Sequence, residues 1–139
     1  MKLEKVICVD DDPIALLLSK LVLSKADFAS KVITAANGEI AIEYLEKPEV
    51  IEENKNSKNP LIILLDLNMP VMDGWEFLEQ FSANLYQEHY ITTKVILLSS
   101  SIDPNDIERS KEFSMVVDFL PKPLTKEMLN TILNKVIQE

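Results

Sequence analysis

The chain has 139 residues, of which 47% are hydrophobic and 27% charged, a composition typical of one soluble globular domain. Its net charge of −9 argues against direct nucleic-acid binding, which depends on lysine and arginine neutralising phosphates. The single cysteine, Cys8, excludes an internal disulfide. We find neither a signal peptide nor a membrane-spanning run of about 18 apolar residues. We therefore expect a cytoplasmic protein without a membrane partner.

The first predicted elements are a strand and a helix separated by acids. Residues 5–9 predict a buried strand, which Asp10, Asp11 and Asp12 follow directly. Asp12 before Pro13 is typical of a helix N-cap and the first helical residue. The apolar residues that come next recur at helical spacing and predict an amphipathic helix: Ile14, Leu17, Leu18, Leu21 and Val22.

The next stretch predicts a second strand and helix, and then a loop. Residues 30–35 have a strand pattern that Asn37-Gly38 ends. The helix that follows is marked by Ile40, Ala41, Tyr44 and Leu45. Residues 47–60 are polar and bounded by prolines, so we expect a long solvated loop there.

A short apolar run at 61–65 ends on Asp66 and predicts a strand buried on both faces. A helix is expected from about Trp75 to Phe81, and residues 84–93 are interpreted as a connecting stretch.

The last third contains two more strands, at 94–98 and 116–120. Ser99-Ser100-Ser101 follows the first, Asp103-Pro104 opens a short helix, and Lys122 follows the second. A final helix is marked by Met128, Leu129, Ile132, Leu133, Val136 and Ile137.

Strand and helix alternate five times, which predicts an α/β fold: a five-stranded parallel sheet in a three-layer α/β/α sandwich of the flavodoxin-like (βα)5 type. We expect a single domain over residues 1–139, with no output domain.

The loops after parallel strands meet at the carboxyl edge of the sheet, where ligands bind. Asp10, Asp11, Asp66, Ser99 and Lys122 all occupy such positions. Three clustered carboxylates repel one another, and a hard cation such as Mg²⁺ relieves the repulsion. A lysine and a hydroxyl suit an anionic oxygen. The set therefore indicates a site that places a phosphoryl group on a carboxylate.

Five motifs give the chain a specific resemblance to the response-regulator receiver domains of two-component signalling. In chain order they are Val9-Asp10-Asp11, Leu65-Asp66-Leu67-Asn68-Met69-Pro70, Met72-Asp73-Gly74, Leu98-Ser99-Ser100 and Lys122-Pro123. Each motif alone is weak, but together they cover nearly the whole chain. The chain resembles the single-domain, chemotaxis-regulator-like members, although its stretches 47–60 and 84–93 are longer than in minimal members. In this respect the chain resembles the single-domain regulators that are paired with bacterial phytochromes.

The resemblance implies a role for each acid. Asp66 would be the phosphoacceptor and a Mg²⁺ ligand. Asp11 would bind Mg²⁺ directly, Asp10 would help to bind it, often through water, and Asn68 would offer its backbone carbonyl.

The resemblance also implies a switch. Ser99, where threonine is more frequent, would move to bond the phosphoryl group, and the ring of Phe119 would turn inward. Lys122 would be the family's lysine, with a cis bond to Pro123. Asn68 and Ser101 occupy the positions that tune the lifetime of the phosphoryl group.

The implied function is a phosphorylation-dependent signalling switch, not an enzyme beyond its Mg²⁺-dependent self-phosphorylation and self-dephosphorylation. The phosphoryl group would come from a histidine kinase or a histidine phosphotransfer protein and would be lost slowly. An unknown downstream protein would read the face formed by the fourth helix, fifth strand and fifth helix. Whether a homodimer forms through that face stays open.

Two other functions also stay open. A phosphatase of the haloacid-dehalogenase type shares the strand-end Asp, Mg²⁺, Ser/Thr and Lys, but it has a second acid where this chain has Asn68. An inert receiver-like module would neither bind Mg²⁺ nor accept phosphate. At single positions, Phe119 and Trp75 could be core residues. Asp73-Gly74 is interpreted as a structural turn in which glycine takes a positive φ.

Overall fold

The structure, a computed structural model, describes residues 2–137 and contains one five-stranded sheet. Its strands lie in the order β2-β1-β3-β4-β5, and every neighbouring pair is parallel. The strands are β1 (Leu3–Val9), β2 (Ala29–Ala35), β3 (Ile62–Asp66), β4 (Lys94–Ser99) and β5 (Val116–Pro121). The predicted α/β class and the predicted parallel sheet are confirmed.

Helices cover both faces of the sheet. They are α1 (Pro13–Lys25), α2 (Gly38–Glu46), α3 (Pro48–Lys55), α4 (Gly74–Phe81), α5 (Gln87–His89), α6 (Pro104–Ser110) and α7 (Lys126–Ile137), and a π-helical segment, Ser82–Tyr86, joins α4 to α5. No helix within residues 2–137 is long and apolar enough to cross a membrane.

Two apolar cores lie on opposite faces of the sheet because successive side chains of a strand point in opposite directions. Ile63 and Leu65 of β3 belong to the core beneath α2 and α4. Ile62 and Leu64 belong to the core beneath α1 and α7. All five residues of β3 are buried, as expected for a central strand covered on both faces. The strand therefore carries Asp66 to the carboxyl edge on a rigid support.

The stretch 47–60 was predicted to be a solvated loop, and this prediction is wrong for residues 48–55, which form α3. Pro48 stands in the first turn of the helix, where proline is favoured, so it begins the helix rather than bounding a loop. Val50 is buried, and Glu53 pairs with Lys5 and Lys31 of the first two strands. These tertiary contacts stabilise a helix whose composition is mostly polar.

The connecting stretch predicted at 84–93 is largely helical as well. The chain continues from α4 through the π-helical segment into α5, burying Leu85 and Tyr86. Tyr90 is fully buried, and its hydroxyl donates to the carbonyl of Leu45 at 2.7 Å. A π-helical turn shifts the phase of the apolar pattern, which explains why helical spacing did not reveal it.

Helix α1 begins as predicted, because the Asp12 carboxylate accepts the Ile14 N–H at 2.9 Å. The five residues that predicted an amphipathic helix do not form its buried face. Four of the five residues taken as its apolar face are exposed, at 66%, 57%, 51% and 50%: Ile14, Leu17, Leu18 and Leu21. Leu23 is buried instead, with Leu16 and Val22 half-buried against the same core. Helix α1 is apolar on more than one side, and the sheet covers the side that carries Leu16 and Leu23.

Candidate functional site

Three of the predicted acids lie together at the carboxyl edge of the sheet. Asp10 follows β1, Asp11 follows Asp10, and Asp66 ends β3, the strand next to β1. Carboxylate oxygens of all three lie within 4.8 Å of one another. Asp10 and Asp66 are 8% and 7% exposed, whereas Asp11 is exposed. The cluster thus has two buried acids at its base and one at its mouth.

Both carboxylate oxygens of Asp10 are bound. Oδ1 accepts the Asp12 N–H at 3.0 Å, which shapes the turn into α1. Oδ2 accepts a hydrogen bond from the Lys122 ammonium at 2.6 Å. Asp10 therefore links the loop after β1 to the loop after β5.

Lys122 lies between two acids. Its Nζ is 2.6 Å from Asp10 Oδ2 and 3.4 Å from Asp66 Oδ1. Its backbone N–H donates to the Ser99 carbonyl at 2.9 Å, and its bond to Pro123 is cis, as the resemblance implied. Burial acts to lower the pKa of Lys122, but the hydrogen bond to Asp10 and the charges of both acids outweigh it. The pKa is raised, and the side chain remains an ammonium.

The pKa of Asp66 is raised, mainly by burial and then by the negative charge of Asp10. Lys122 opposes the shift, as does a long hydrogen bond of 3.5 Å from the Asn68 N–H. The pocket contains one ammonium and three carboxylates, so its net charge is negative when all of them are ionised. Its oxygen ligands fit a hard divalent cation such as Mg²⁺, which takes carboxylates, backbone carbonyls and water.

The Ser99 hydroxyl is buried and bonded within its own loop. It donates to the Ser101 carbonyl at 2.8 Å and accepts the Ser101 N–H at 3.1 Å. Ser99 directly follows Leu98, the residue of β4 that pairs with Asp66. The hydroxyl is therefore on a neighbouring strand but is turned towards its own loop.

Phe119 is half-buried and packs against the core beneath α2 and α4. It lies on β5, opposite Leu97 of β4.

Gly74 lets the chain approach Asp66 closely. A Cβ atom at Gly74 would lie 2.8 Å from the Asp66 carbonyl oxygen and from the Leu67 Cα. Its N–H donates to the Leu67 carbonyl at 2.9 Å. Gly74 does not have a positive φ, so the predicted reason for the glycine is wrong, and close packing is the actual one. Asp73 and Glu76 form a capping box at the first turn of α4, next to the end of β3.

Sequence reasoning missed a strained turn at Val71, in the loop after Asp66. Val71 has φ 69° and is 71% exposed. A positive φ is an outlier for a β-branched residue. The turn is closed by the Met72 N–H, which donates to the Pro70 carbonyl at 2.7 Å, and the Met72 carbonyl accepts the Gly38 N–H at 3.2 Å. The sequence Pro-Val-Met carries no signal for this conformation.

A sequence model of the response regulator receiver domain matches residues 6–134. A parallel (βα)5 sheet with acids, a serine and a lysine at its carboxyl edge agrees with this match, and the chain belongs to the response regulator receiver family.

Individual relatives support this assignment. The chain is 29% identical over 134 residues to the "Two-component response regulator ORR41" of Oryza sativa subsp. japonica, covering 96% of this chain and 94% of that protein. It is also 29% identical over 131 residues to the "Probable C4-dicarboxylate response regulator DctR" of Halalkalibacterium halodurans, but it spans only 50% of that protein's length.

Solved structures give the same result. A two-component response regulator from Cytophaga hutchinsonii aligns over 100% of both chains, with 31% identity and a TM-score of 0.84. The bacteriophytochrome response regulator AtBRR aligns over 98% of this chain and 94% of its own, with 28% identity and a TM-score of 0.74.

Proposed function

We propose that Asp66 accepts a phosphoryl group from a phosphohistidine of a sensor histidine kinase or a histidine phosphotransfer protein, and that this modification switches a partner surface. One observation carries the proposal: the Asp66 carboxylate ends a buried strand with two further carboxylates within 4.8 Å and the Lys122 ammonium 3.4 Å away. Family membership supports it, because receiver domains serve two-component signalling.

The proposed transfer is a displacement at phosphorus. An Asp66 oxygen forms the new P–O bond, the P–N bond to the histidine breaks, and the leaving imidazole keeps the electron pair and takes up a proton. Attack requires the ionised carboxylate, which Lys122 favours against the effect of burial. Lys122 can then pair with a phosphoryl oxygen as a point charge. In slow self-hydrolysis, a water oxygen forms a new P–O bond, the bond to Asp66 breaks with its electron pair staying on the carboxylate, and inorganic phosphate is released.

Mg²⁺ fits this site as a cofactor. Asp10, Asp11 and Asp66, with the backbone carbonyl of Asn68, would hold it. When bound, the ion neutralises the clustered acids and the phosphoryl oxygens.

Ser99 and Phe119 are the proposed switch residues. To donate to a phosphoryl oxygen, Ser99 has to give up its bond to the Ser101 carbonyl, and this moves the loop that leads into α6. Phe119 lies on the strand paired with β4 and is only half-buried, and its ring would turn inward in the phosphorylated state. The resulting signal would be read on the face of α6, β5 and α7, by an unknown downstream protein or by a second copy of the chain.

The exposed stripe of α1, defined as Ile14, Leu17, Leu18 and Leu21, supports a protein as the phosphoryl donor. A cleft of about 260 Å³ lies between this stripe and the acid pocket, and its lining includes Leu18, Pro123 and the charged pair Asp10 and Lys122. An apolar surface that leads directly to a charged pocket suits a protein that presents a phosphohistidine from an apolar face. A small phosphate ester would need no such surface.

The test is the intact mass of the protein after incubation with acetyl phosphate, with and without Mg²⁺. We expect one Mg²⁺-dependent phosphoryl adduct that decays slowly and is absent from Asp66→Asn. Asp12→Asn is the matched control, because asparagine also caps helices well, so this variant should keep the adduct. A wild-type protein that gains no adduct, or an Asp66→Asn variant that still gains one, would overturn the proposal.

A measurement of free phosphate release distinguishes the two alternative hypotheses, the phosphatase and the inert module. Rapid turnover of a generic phosphate ester would favour the phosphatase. No adduct and no phosphate release would favour the inert module.

A further inference from the structure

Helix α6 packs loosely on the rest of the protein. Among its residues Pro104–Ser110, only Ser110 is buried. Arg109, near its end, is exposed, and its guanidinium carbon lies 4.5 Å from the centroid of the Trp75 ring. Trp75 also stacks on Phe113, three residues after the helix, with ring centroids 6.2 Å apart. An aromatic residue of α4 therefore contacts both α6 and the segment that follows it.

Trp75 is attached rigidly to the phosphoacceptor. It is 9% exposed and follows Gly74, which lies directly against the Asp66 backbone. The capping box of Asp73 and Glu76 fixes the first turn of α4 around it. The position of the Trp75 ring is thus set by the end of β3.

Arg109 is attached to the proposed switch serine through a different loop. Ser99 ends β4, and its hydroxyl is bonded to Ser101. Asp103 then caps α6 by accepting the Asn105 N–H at 2.8 Å. Two segments leave the acid pocket from neighbouring strands, one through Gly74 and one through Ser101. The two segments contact each other again where the Arg109 guanidinium lies over the Trp75 ring.

We propose that Arg109 is a positioning residue whose contact with Trp75 holds α6 in the arrangement in which Ser99 is bonded to Ser101, and that this contact is lost when Asp66 is phosphorylated. The inference rests on the proposed function. A contact made in only one of two states shifts the equilibrium between them by its full strength. For an exposed guanidinium over an indole ring, this corresponds to about a two- to fivefold change in the equilibrium constant.

The test compares three variants with the wild-type protein. Arg109→Ala removes the contact, and Arg109→Lys keeps a cation that can lie over the ring. Lys111→Ala is the matched control, since it removes a cation from the end of the same helix, where Lys111 pairs with Glu108 at 3.0 Å.

Two measurements are needed. The first is hydrogen exchange of residues 104–113 in EDTA without a phosphodonor. The second is the initial rate of the Mg²⁺-dependent mass adduct at subsaturating acetyl phosphate.

For Arg109→Ala we expect exchange about two- to fivefold faster and an initial rate raised by a similar factor. Arg109→Lys should recover most of both effects, and Lys111→Ala should match the wild-type protein. Unchanged exchange in Arg109→Ala would overturn the positioning role. Faster exchange at an unchanged phosphorylation rate would show a structural contact only and overturn the regulatory role.

Failure of the proposed function gives a different result. If the wild-type protein gains no phosphoryl group, the regulatory role falls with the proposed function. The exchange comparison would still decide whether Arg109 holds α6.

Discussion

Replacing Asp66 by asparagine should stabilise the metal-free protein at neutral pH, although it removes the proposed phosphoacceptor. Asp66 is 7% exposed and has carboxylates of Asp10 and Asp11 within 4.8 Å. Asparagine has nearly the same shape, and its amide oxygen can still accept the Asn68 N–H. The substitution therefore removes a charge and leaves the packing intact.

The expected gain follows from the charges around Asp66. Two unit charges 4 to 5 Å apart interact by roughly 3–4 kcal/mol at an effective dielectric constant of about 20. Lys122, at 3.4 Å, attracts Asp66 and offsets about one of its two repulsions. Asp11 is exposed, so solvent weakens its repulsion, but the burial of Asp66 still penalises the charge. We expect the free energy of unfolding to rise by about 1–2 kcal/mol.

The pH dependence has a definite sign. The folded-state pKa of Asp66 is raised above its unfolded value, so the folded protein binds the proton more tightly. The contribution of Asp66 to stability therefore falls as pH rises through the window that begins at the unfolded pKa of about 4. Asp66→Asn does not have this loss. Its advantage should be absent below about pH 4 and should grow as pH rises above that value.

The assay is urea unfolding in EDTA between pH 4 and pH 8, followed by the fluorescence of Trp75, the one tryptophan in the chain. Asp12→Asn is the control, and its midpoint should change little. An Asp66→Asn variant that is equally or less stable at pH 7 would refute the reasoning. It would mean that the ionised carboxylate is stabilised by the folded protein.

Three further predictions concern the same edge of the sheet. Mg²⁺ at ten times its dissociation constant should stabilise the wild-type protein by about 1.4 kcal/mol, and Asp11→Asn should remove most of this gain in thermal unfolding with and without the ion. Gly74→Ala should lower the free energy of urea unfolding by about 1–3 kcal/mol, because the new Cβ meets the backbone of Asp66 and Leu67 at 2.8 Å; no loss would show that α4 can shift. Val71→Gly should raise it by roughly 1 kcal/mol, since glycine relieves the positive φ of a side chain that is 71% exposed; a loss would show that the valine side chain is stabilising.

The five strands could be predicted from the sequence because the apolar runs are short and each ends in a distinct signal. The run before Asp66 is buried along its whole length, and the apolar run before Ser99 is buried too. Loops after parallel strands converge at one edge. The proximity of Asp10, Asp11 and Asp66 therefore follows from topology alone.

Detailed pairing at that edge could not be predicted. Topology brings Lys122 close to the acids, but only the packed structure shows that its shorter contact is to Asp10 and not to Asp66. The Ser99 hydroxyl has two groups of Ser101 as partners, and this local bond competes with any bond to the pocket. Such choices depend on differences of a few tenths of an ångström, which residue spacing does not encode.

The helices that were missed have a different cause. Helix α3 is polar in sequence and is stabilised by long-range pairs such as Glu53 with Lys5. The extension of α4 passes through a π-helical turn that breaks the 3.6-residue period. In both cases the signal lies in tertiary contacts, which a pattern along the chain does not contain.

The wrong orientation of α1 and the proposed donor surface have the same origin. A helix with apolar residues on more than one side can bury only one of them against the sheet, and here Leu23 is buried while Leu17 is 57% exposed. Exposed apolar patches of this kind usually mark interaction sites. Within residues 2–137, the other large exposed apolar side chains include Val71 and Ile102, which lie in loops at the carboxyl edge. In the exposed stripe of α1, Ile14 and Leu18 line the cleft beside Asp10 and Lys122, which is where the proposed protein donor would bind.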